Sequence, residues 1–523
     1  MKTYSHHLSG TGQTTNIDVI RKPILRSSAI FPFMVNKKVD NKFLILGYWL
    51  LKRNIKEVLL LITIRSKTGK IVFRNKIIID QIKAYNFSLK KLLKHKAGNY
   101  TGSIEFEVFS TQDMFYPYPA CVLEVSSKES STFVHTCGRI YNDFEDLKNN
   151  SSFKPPESGF DILPNKEVKH FFSFVNGAAP IKNEKLNLEL INCKGNVRKK
   201  EIKLKNIAPY ETKFIFFITS SDKKFFNDEK GTAKIHHKLN GFFPRFLVGN
   251  ISADFTKSTI THTYYDTSNL KDKDHFWKNP NEKVFFDSII TFPLFYKNNY
   301  KTELGIYPIQ PVIEDIIFDV QIFNSIGKEL YKIKNVFIIK KNFKKPFYLN
   351  LNSVIKSNKI VLNQKDNFFV KIAVNSKKTP ARLKFGFNIS NKKKFNFPSN
   401  VCFNAVVPNK SMLNKKKTFK WAPIINKKDS KIIITNFSTL KKDYKNAKVE
   451  LKFWREKDSK HIKKNITINN NGSYWFDLNK NIKIKKFLNN KSGWITVLGN
   501  SPFLSGFTVE DSNTGIIGAD HVF

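Results

Sequence analysis

The chain has 523 residues, with 89 Lys and Arg against 43 Asp and Glu, a formal charge of +46. Ten of the basic residues are Arg and 79 are Lys, and the accompanying wealth of Asn, Ile and Phe is what A/T-rich codons produce without selection for an anionic partner. Gly and Pro together make up about 8%, which excludes a low-complexity chain. The 41% hydrophobic fraction, with 49 Phe, supplies cores for several domains.

Residues 1–27 read as a polar tail. Ser9-Gly10-Thr11-Gly12 lacks the lysine and the preceding strand of a phosphate-binding loop. The tail has no apolar leader, and the best apolar run, Phe43 to Leu51, is half of the roughly 20 residues a spanning helix needs. Four Cys are no disulfide scaffold, and Cys121 and Cys137 read as buried thiols. These features predict a cytoplasmic protein by default, with export by another route left open.

From residue 28 onward a repeat emerges. An apolar alternating run ends in a polar turn at Leu59–Lys70, Leu186–Asn196, Phe318–Lys328 and Val449–Ser459. Gly69, Gly195 and Gly327 mark the turns, 126 and 132 residues apart, and Ser459 follows after another 132. Upstream, apolar stretches end at Asn36, Asn176, Asn298 and Asn426. Downstream lie aromatic strands at Tyr85–Leu89, Tyr210–Phe217, Phe347–Leu351 and Tyr474–Leu478, then Gly102, Gly231 and Gly493. The spacing from Asn176 to Gly195 is 19 residues where that from Asn36 to Gly69 is 33, which predicts that the second repeat has lost a strand.

The period of two, the Ile, Phe, Val, Tyr and Thr content, and the turn spacing predict short β-strands. Only Ser88–Lys96 reads as a short helix. The fold class expected is all-β, a tandem array of four immunoglobulin-like β-sandwich repeats over 28–145, 159–268 (shortened), 282–407 and 417–523. The pattern resembles tandem immunoglobulin-like sandwiches in general and carries no family-specific motif, and such a fold does not dictate function.

The sharpest local match is Ser131-Thr132-Phe133-Val134-His135-Thr136 against Ser258-Thr259-Ile260-Thr261-His262-Thr263, the pattern S-T-x-x-H-T repeated after 127 residues. The fourth repeat ends near His521, and the third has Val401-Cys402-Phe403-Asn404 at that place. A histidine sharing a strand face with aromatics reads first as a core or sheet-edge residue. Its functional reading gathers His262, Asp266, Tyr265 and Arg245 into a ligand-binding cluster, with His135, Arg139 and His521 as further candidates. Arg supplies a planar fork and Tyr a stacking platform.

His135, His262 and His521 fall in different repeats and four-ligand zinc spacing is lacking, so no metal and no cofactor are expected. Paired catalytic carboxylates and a nucleophile elbow are also lacking. Lysine clusters thicken toward the C-terminal half, but scarce Arg argues against base-specific reading. The favoured function is therefore a non-enzymatic multidomain binding or scaffolding protein that recognises carbohydrate or another anionic ligand. The alternatives are an enzyme using a His262/Asp266 site and non-specific nucleic-acid binding through lysine-rich surfaces.

Overall fold

The structure is a computed structural model and describes residues 23–94, 98–128, 130–135, 138–141, 156–243, 245–265, 276–277, 279–296, 299–308, 312–380, 383–391 and 397–523. The chain is all-β, with antiparallel sheets and a few short helices. It divides into two compact units, the first built chiefly on Thr14–Asp266 and the second on Thr267–Arg455 and Lys460–Phe523.

The first unit opens with strands β1 (Arg26–Val35), β2 (Asp40–Leu46), β3 (Val58–Ser66), β4 (Ile71–Ile79), β5 (Ala84–Ser88), β6 (Tyr100–Phe109), β7 (Cys121–Ser126) and β8 (Ser131–His135). They form two sheets, β1-β6-β3-β4 and β5-β2-β7-β8. Alternation makes the sandwich: Leu60, Ile62 and Ile64 of β3 and Ile104, Phe106 and Val108 of β6 are buried. Across from them Phe43 lies 5.3 Å, ring to ring, from Phe106. Each such side chain contributes about 1.5–3 kcal/mol on burial.

The same strand order recurs in the second unit. Ser288–Leu294, Phe368–Asn375, Ile316–Asn324 and Glu329–Ile339 form one sheet, faced by Phe347–Asn350, Tyr300–Ile306, Lys384–Asn391 and Val401–Asn404. It recurs again in Thr418–Ile424, Gly493–Gly499, Ala447–Trp454 and His461–Ile468, faced by Gly472–Asp477, Asp429–Asn436, Leu504–Asp511 and Ile517–His521. A short helix follows the fifth strand every time: Leu89–Leu92, Ser220–Phe226, Leu351–Ser357 and Ile482–Leu488. Only the first of these was expected. The others are two turns long, too short for a helical period, and three of the four start at a capping Ser88, Thr219 or Asn350.

The remaining sandwich, in the first unit, corrects one expectation. Its sheets are Val197–Leu204, Glu184–Ile191, Thr232–His236, Glu157–Ser158, Tyr264–Tyr265 and Thr212–Phe216, Val168–Val175, Leu247–Ser252, Ser258–His262. No strand is lost. The first strand is reduced to Glu157–Ser158, so the apolar stretch ending at Asn176 is the second strand. Asn176 matches Asn436 rather than Asn36 or Asn426: both amides reach across a loop, from Asn176 to the carbonyls of Ala179 and Ala208 (2.9 Å each) and from Asn436 to those of Lys445 and Asn469 (3.1 and 3.3 Å).

The two units also share one internal junction. The turn after β3 places Gly69 at φ +87°, where an added Cβ would stand 2.2 Å from the Pro209 carbonyl oxygen, while the Thr212 amide donates to the Lys67 carbonyl at 2.9 Å. In the second unit Gly327, at φ +88°, lies against the Asn470 carbonyl at the same 2.2 Å, and the Ser473 amide donates to the Ser325 carbonyl at 2.9 Å. These glycines are 258 residues apart, Asn176 and Asn436 260, and His262 and His521 259. Beside the first junction Arg65 pairs with buried Glu105 at 2.8 Å and lies 4.2 Å from the Tyr210 ring centre.

Two outcomes follow from this packing. Gly69→Ala is expected to lower unfolding stability by at least about 1–2 kcal/mol, from the left-handed backbone and the carbonyl clash together, as read by urea denaturation. His170 lies in the core of the second sandwich, its Nε2 donating to the Leu163 carbonyl at 2.5 Å; burial lowers its pKa to about 4. The unfolded chain therefore binds the extra proton between about pH 6.5 and pH 4, so the neutral-His170 contribution is present above pH 6.5 and lost as pH falls toward 4. His170→Gln is expected to flatten the acid limb of a stability–pH curve; an unchanged slope would refute this assignment.

Candidate functional site

The repeated S-T-x-x-H-T strands, β8 and Ser258–His262, are the edge strands of their sheets. Within the first unit their histidines meet: His135 Nε2 and His262 Nε2 are 3.0 Å apart, with the rings edge to face at 4.4 Å. His262 is 1% exposed, and its Nδ1 faces the Thr263 carbonyl at 3.0 Å. Its ring also stands 4.8 Å from Tyr264, over which Arg245 lies at 5.5 Å. Arg245 approaches Phe243 as well, and Phe243 is the strand partner of buried Arg139.

Sequence separation had suggested that His135 and His262 stay apart; the packing of the two edge strands joins them. Among the described residues, Tyr264 supplies an aromatic platform here. The side chains of Tyr265 and Asp266 lie outside the described residues, as does Cys137, while Cys121 is buried in β7. His521 belongs to the second unit and repeats the local geometry of His262, with Nδ1 facing the next carbonyl, that of Val522, at 3.0 Å.

A second site was not anticipated. In the second unit a cavity of about 540 Å³ opens among the strand ends of its two sandwiches. That is within the range of small-ligand pockets. Four carboxylates line it, Asp366, Asp429, Asp477 and Asp511, against two ammonium groups, Lys431 and Lys480. Trp475, Tyr296 and Tyr300 supply rings, and Asn391 and Asn513 supply amides.

Asp429 and Asp511 are direct partners on adjacent strands, where like charges repel. Each is compensated locally. Lys431 Nζ pairs with Asp429, and Tyr300 donates its phenol proton to Asp511. Asp511 also accepts from the Asn513 amide at 2.7 Å and from Asn391 Nδ2 at 3.4 Å. Burial and this carboxylate push the Tyr300 phenol pKa well up, so Tyr300 remains a donor across the physiological range. Trp475 is fixed by its indole nitrogen donating to Ser473 at 3.0 Å and by Phe295, 5.4 Å away ring to ring.

The cavity escaped the sequence reading because that reading followed recurring motifs, and these residues do not recur. The available signal was the crowding of Asp at strand ends in a lysine-dominated chain.

No family model matches the chain, and no curated protein matches it in sequence. Among solved structures it is similar to a calcium-binding mutant of Bacteroides uniformis β-glucuronidase 2, at 12% identity over 49% of this chain and 28% of that one, with a TM-score of 0.12. It is similar also to a tetra-tandem repeat from the extending region of a large adhesion protein, at 7% identity over 89% and 90%, with a TM-score of 0.09. A Salmonella alpha-2-macroglobulin mutant matches at 9% over 96% and 36%, with a TM-score of 0.11. The chain thus spans about a quarter of the length of the glucuronidase chain. At these TM-scores the likenesses carry no argument about activity, ligand or partner.

Removing the hydroxyl that donates to Asp511 has a defined cost. Tyr300→Phe is expected to destabilise the second unit by about 1–3 kcal/mol, because Asp511 loses a buried donor beside Asp429. A thermal or urea transition unchanged within about 0.5 kcal/mol would contradict the hydrogen bond.

Proposed function

We propose that the protein is a non-enzymatic binding protein built from four tandem β-sandwiches and that the cavity of its second unit takes an uncharged saccharide. The observation that carries this reading is the lining: an indole and two phenol rings beside fixed carboxylate and amide groups. Sugar rings present an apolar C–H face that packs on aromatic rings, and a belt of hydroxyls that donate to carboxylates. Asp429 and Asp511 are held as acceptors by Lys431 and Tyr300, which suits hydroxyl donors.

Charge narrows the class. Four carboxylates against two ammonium groups repel an anionic ligand at short range, whatever the +46 of the whole chain attracts at long range. The surface lysines and the cavity thus favour different ligands, and the cavity is the one with built geometry. The enzyme alternative rests on Asp266, which lies outside the described residues.

A glycan array followed by calorimetry tests the reading. Neutral oligosaccharides are expected to bind at physiological salt, and Trp475→Ala and Asp511→Asn are each expected to weaken binding at least about tenfold, or about 1.4 kcal/mol. Retention of only sulfated or uronic polymers, with binding lost by 0.5 M salt and indifferent to Trp475→Ala, would overturn it.

A further inference from the structure

The saccharide reading leaves unexplained the pair of histidines that the two S-T-x-x-H-T strands bring together. We propose that His135 and His262 form a binding site for a borderline transition-metal ion, of which Zn²⁺ is the natural probe. The argument begins with the tautomer of His262. Its Nδ1 lies 3.0 Å from the Thr263 carbonyl oxygen, and a carbonyl only accepts, so Nδ1 carries a proton and, in the neutral ring, Nε2 holds the lone pair. That lone pair points at His135 Nε2, 3.0 Å away. The gap between the two nitrogens must therefore hold a proton or a cation.

The geometry suits a cation. Two nitrogens bound at about 2.0–2.1 Å to one ion, with angles near 90–110°, stand about 2.9–3.4 Å apart. A ligating histidine characteristically donates its other ring N–H to a carbonyl or carboxylate, which fixes the ring and raises its basicity. His262 has this support, and the support has its own: Thr263 Oγ1 donates to buried Glu157 at 2.5 Å, steadying the carbonyl that holds the imidazole. Two imidazole nitrogens select Zn²⁺, Ni²⁺ or Cu²⁺ over Ca²⁺ or Mg²⁺, which prefer oxygen.

The site also follows from the recurrence of the S-T-x-x-H-T motif at one strand position. The strands that carry the two histidines are the same strand of successive sandwiches, so one motif copied once yields both ligands. In the second unit the corresponding strands carry His521 and Val401–Asn404, and the latter contains no histidine.

The test is titration of the full chain with Zn²⁺ by calorimetry and with Co²⁺ by visible absorption, on the wild type and on His135→Ala, His262→Ala and His236→Ala. His236 is half-exposed on another strand and controls for adventitious imidazole binding. Wild type and the His236 variant are expected to bind one ion at the pair with equal affinity, and the other two variants to lose at least about tenfold. Because His262 is buried, the partly exposed His135 is the decisive variant, and its circular dichroism and melting curve should match wild type without metal. No Zn²⁺ binding in the wild type, or equal binding in all four proteins, would show that the gap holds only a proton and would overturn the site. Either result is independent of saccharide binding in the second unit.

Discussion

The constraint on which the structure depends is the docking of one glycine turn against the neighbouring sandwich. A residue with a side chain at position 69 or 327 would drive its Cβ into a backbone carbonyl, and the amide–carbonyl bond beside each glycine fixes the register of the contact. A sandwich that buries its own core has no need of a partner, and beads on flexible linkers would be the outcome. The close backbone approach at these turns instead makes the sandwiches of a unit into a single body. In the second unit the apolar core runs on from one sandwich to the next through Phe437, which stacks on Phe369 at 4.6 Å and meets Phe323 at 5.4 Å.

Both candidate sites follow from that docking. Neither is built by one sandwich. The cavity takes Tyr300 and Asn391 from one and Asp429, Asp511 and Trp475 from the next; the imidazole pair takes one histidine from each. This explains why reading each repeat as an independent unit kept His135 and His262 apart: their separation in sequence is no guide to distance once the edge strands pack together. Edge strands are the positions most available for contact between sheets, and both histidines sit on edge strands.

The strands were legible because alternation is a local property. Leu186, Leu188 and Leu190 announce a half-buried strand from five residues of sequence, and the aromatic runs at Tyr85 and Tyr474 fall within or beside strands that the structure contains. Short helices were not legible beyond the first, since two turns carry no period and the capping residues Thr219 and Asn350 look like ordinary turn residues. The misplaced Asn176 has a more instructive cause. Where a strand is cut to Glu157–Ser158, its neighbour inherits the look of the missing element, and the matching amide geometry of Asn176 and Asn436 exposes the shift.

The 260-residue spacing sharpens what the charge leaves open. Gly69 and Gly327 share a left-handed backbone and the same close carbonyl, and Asn176 and Asn436, like His262 and His521, share their side-chain hydrogen bonds to backbone carbonyls, so the two units keep the same scaffold at these positions. They differ at the positions of the two candidate sites. His135 has no histidine counterpart, and the carboxylates of the cavity belong to the second unit alone. A surface enriched in lysine by composition would thicken without regard to such positions, whereas the Asp429–Lys431 and Asp511–Tyr300 pairs compensate one carboxylate at a time. The chemistry particular to each unit is thus carried by a few acidic and imidazole groups at the seams between sandwiches, against a lysine background that both units share.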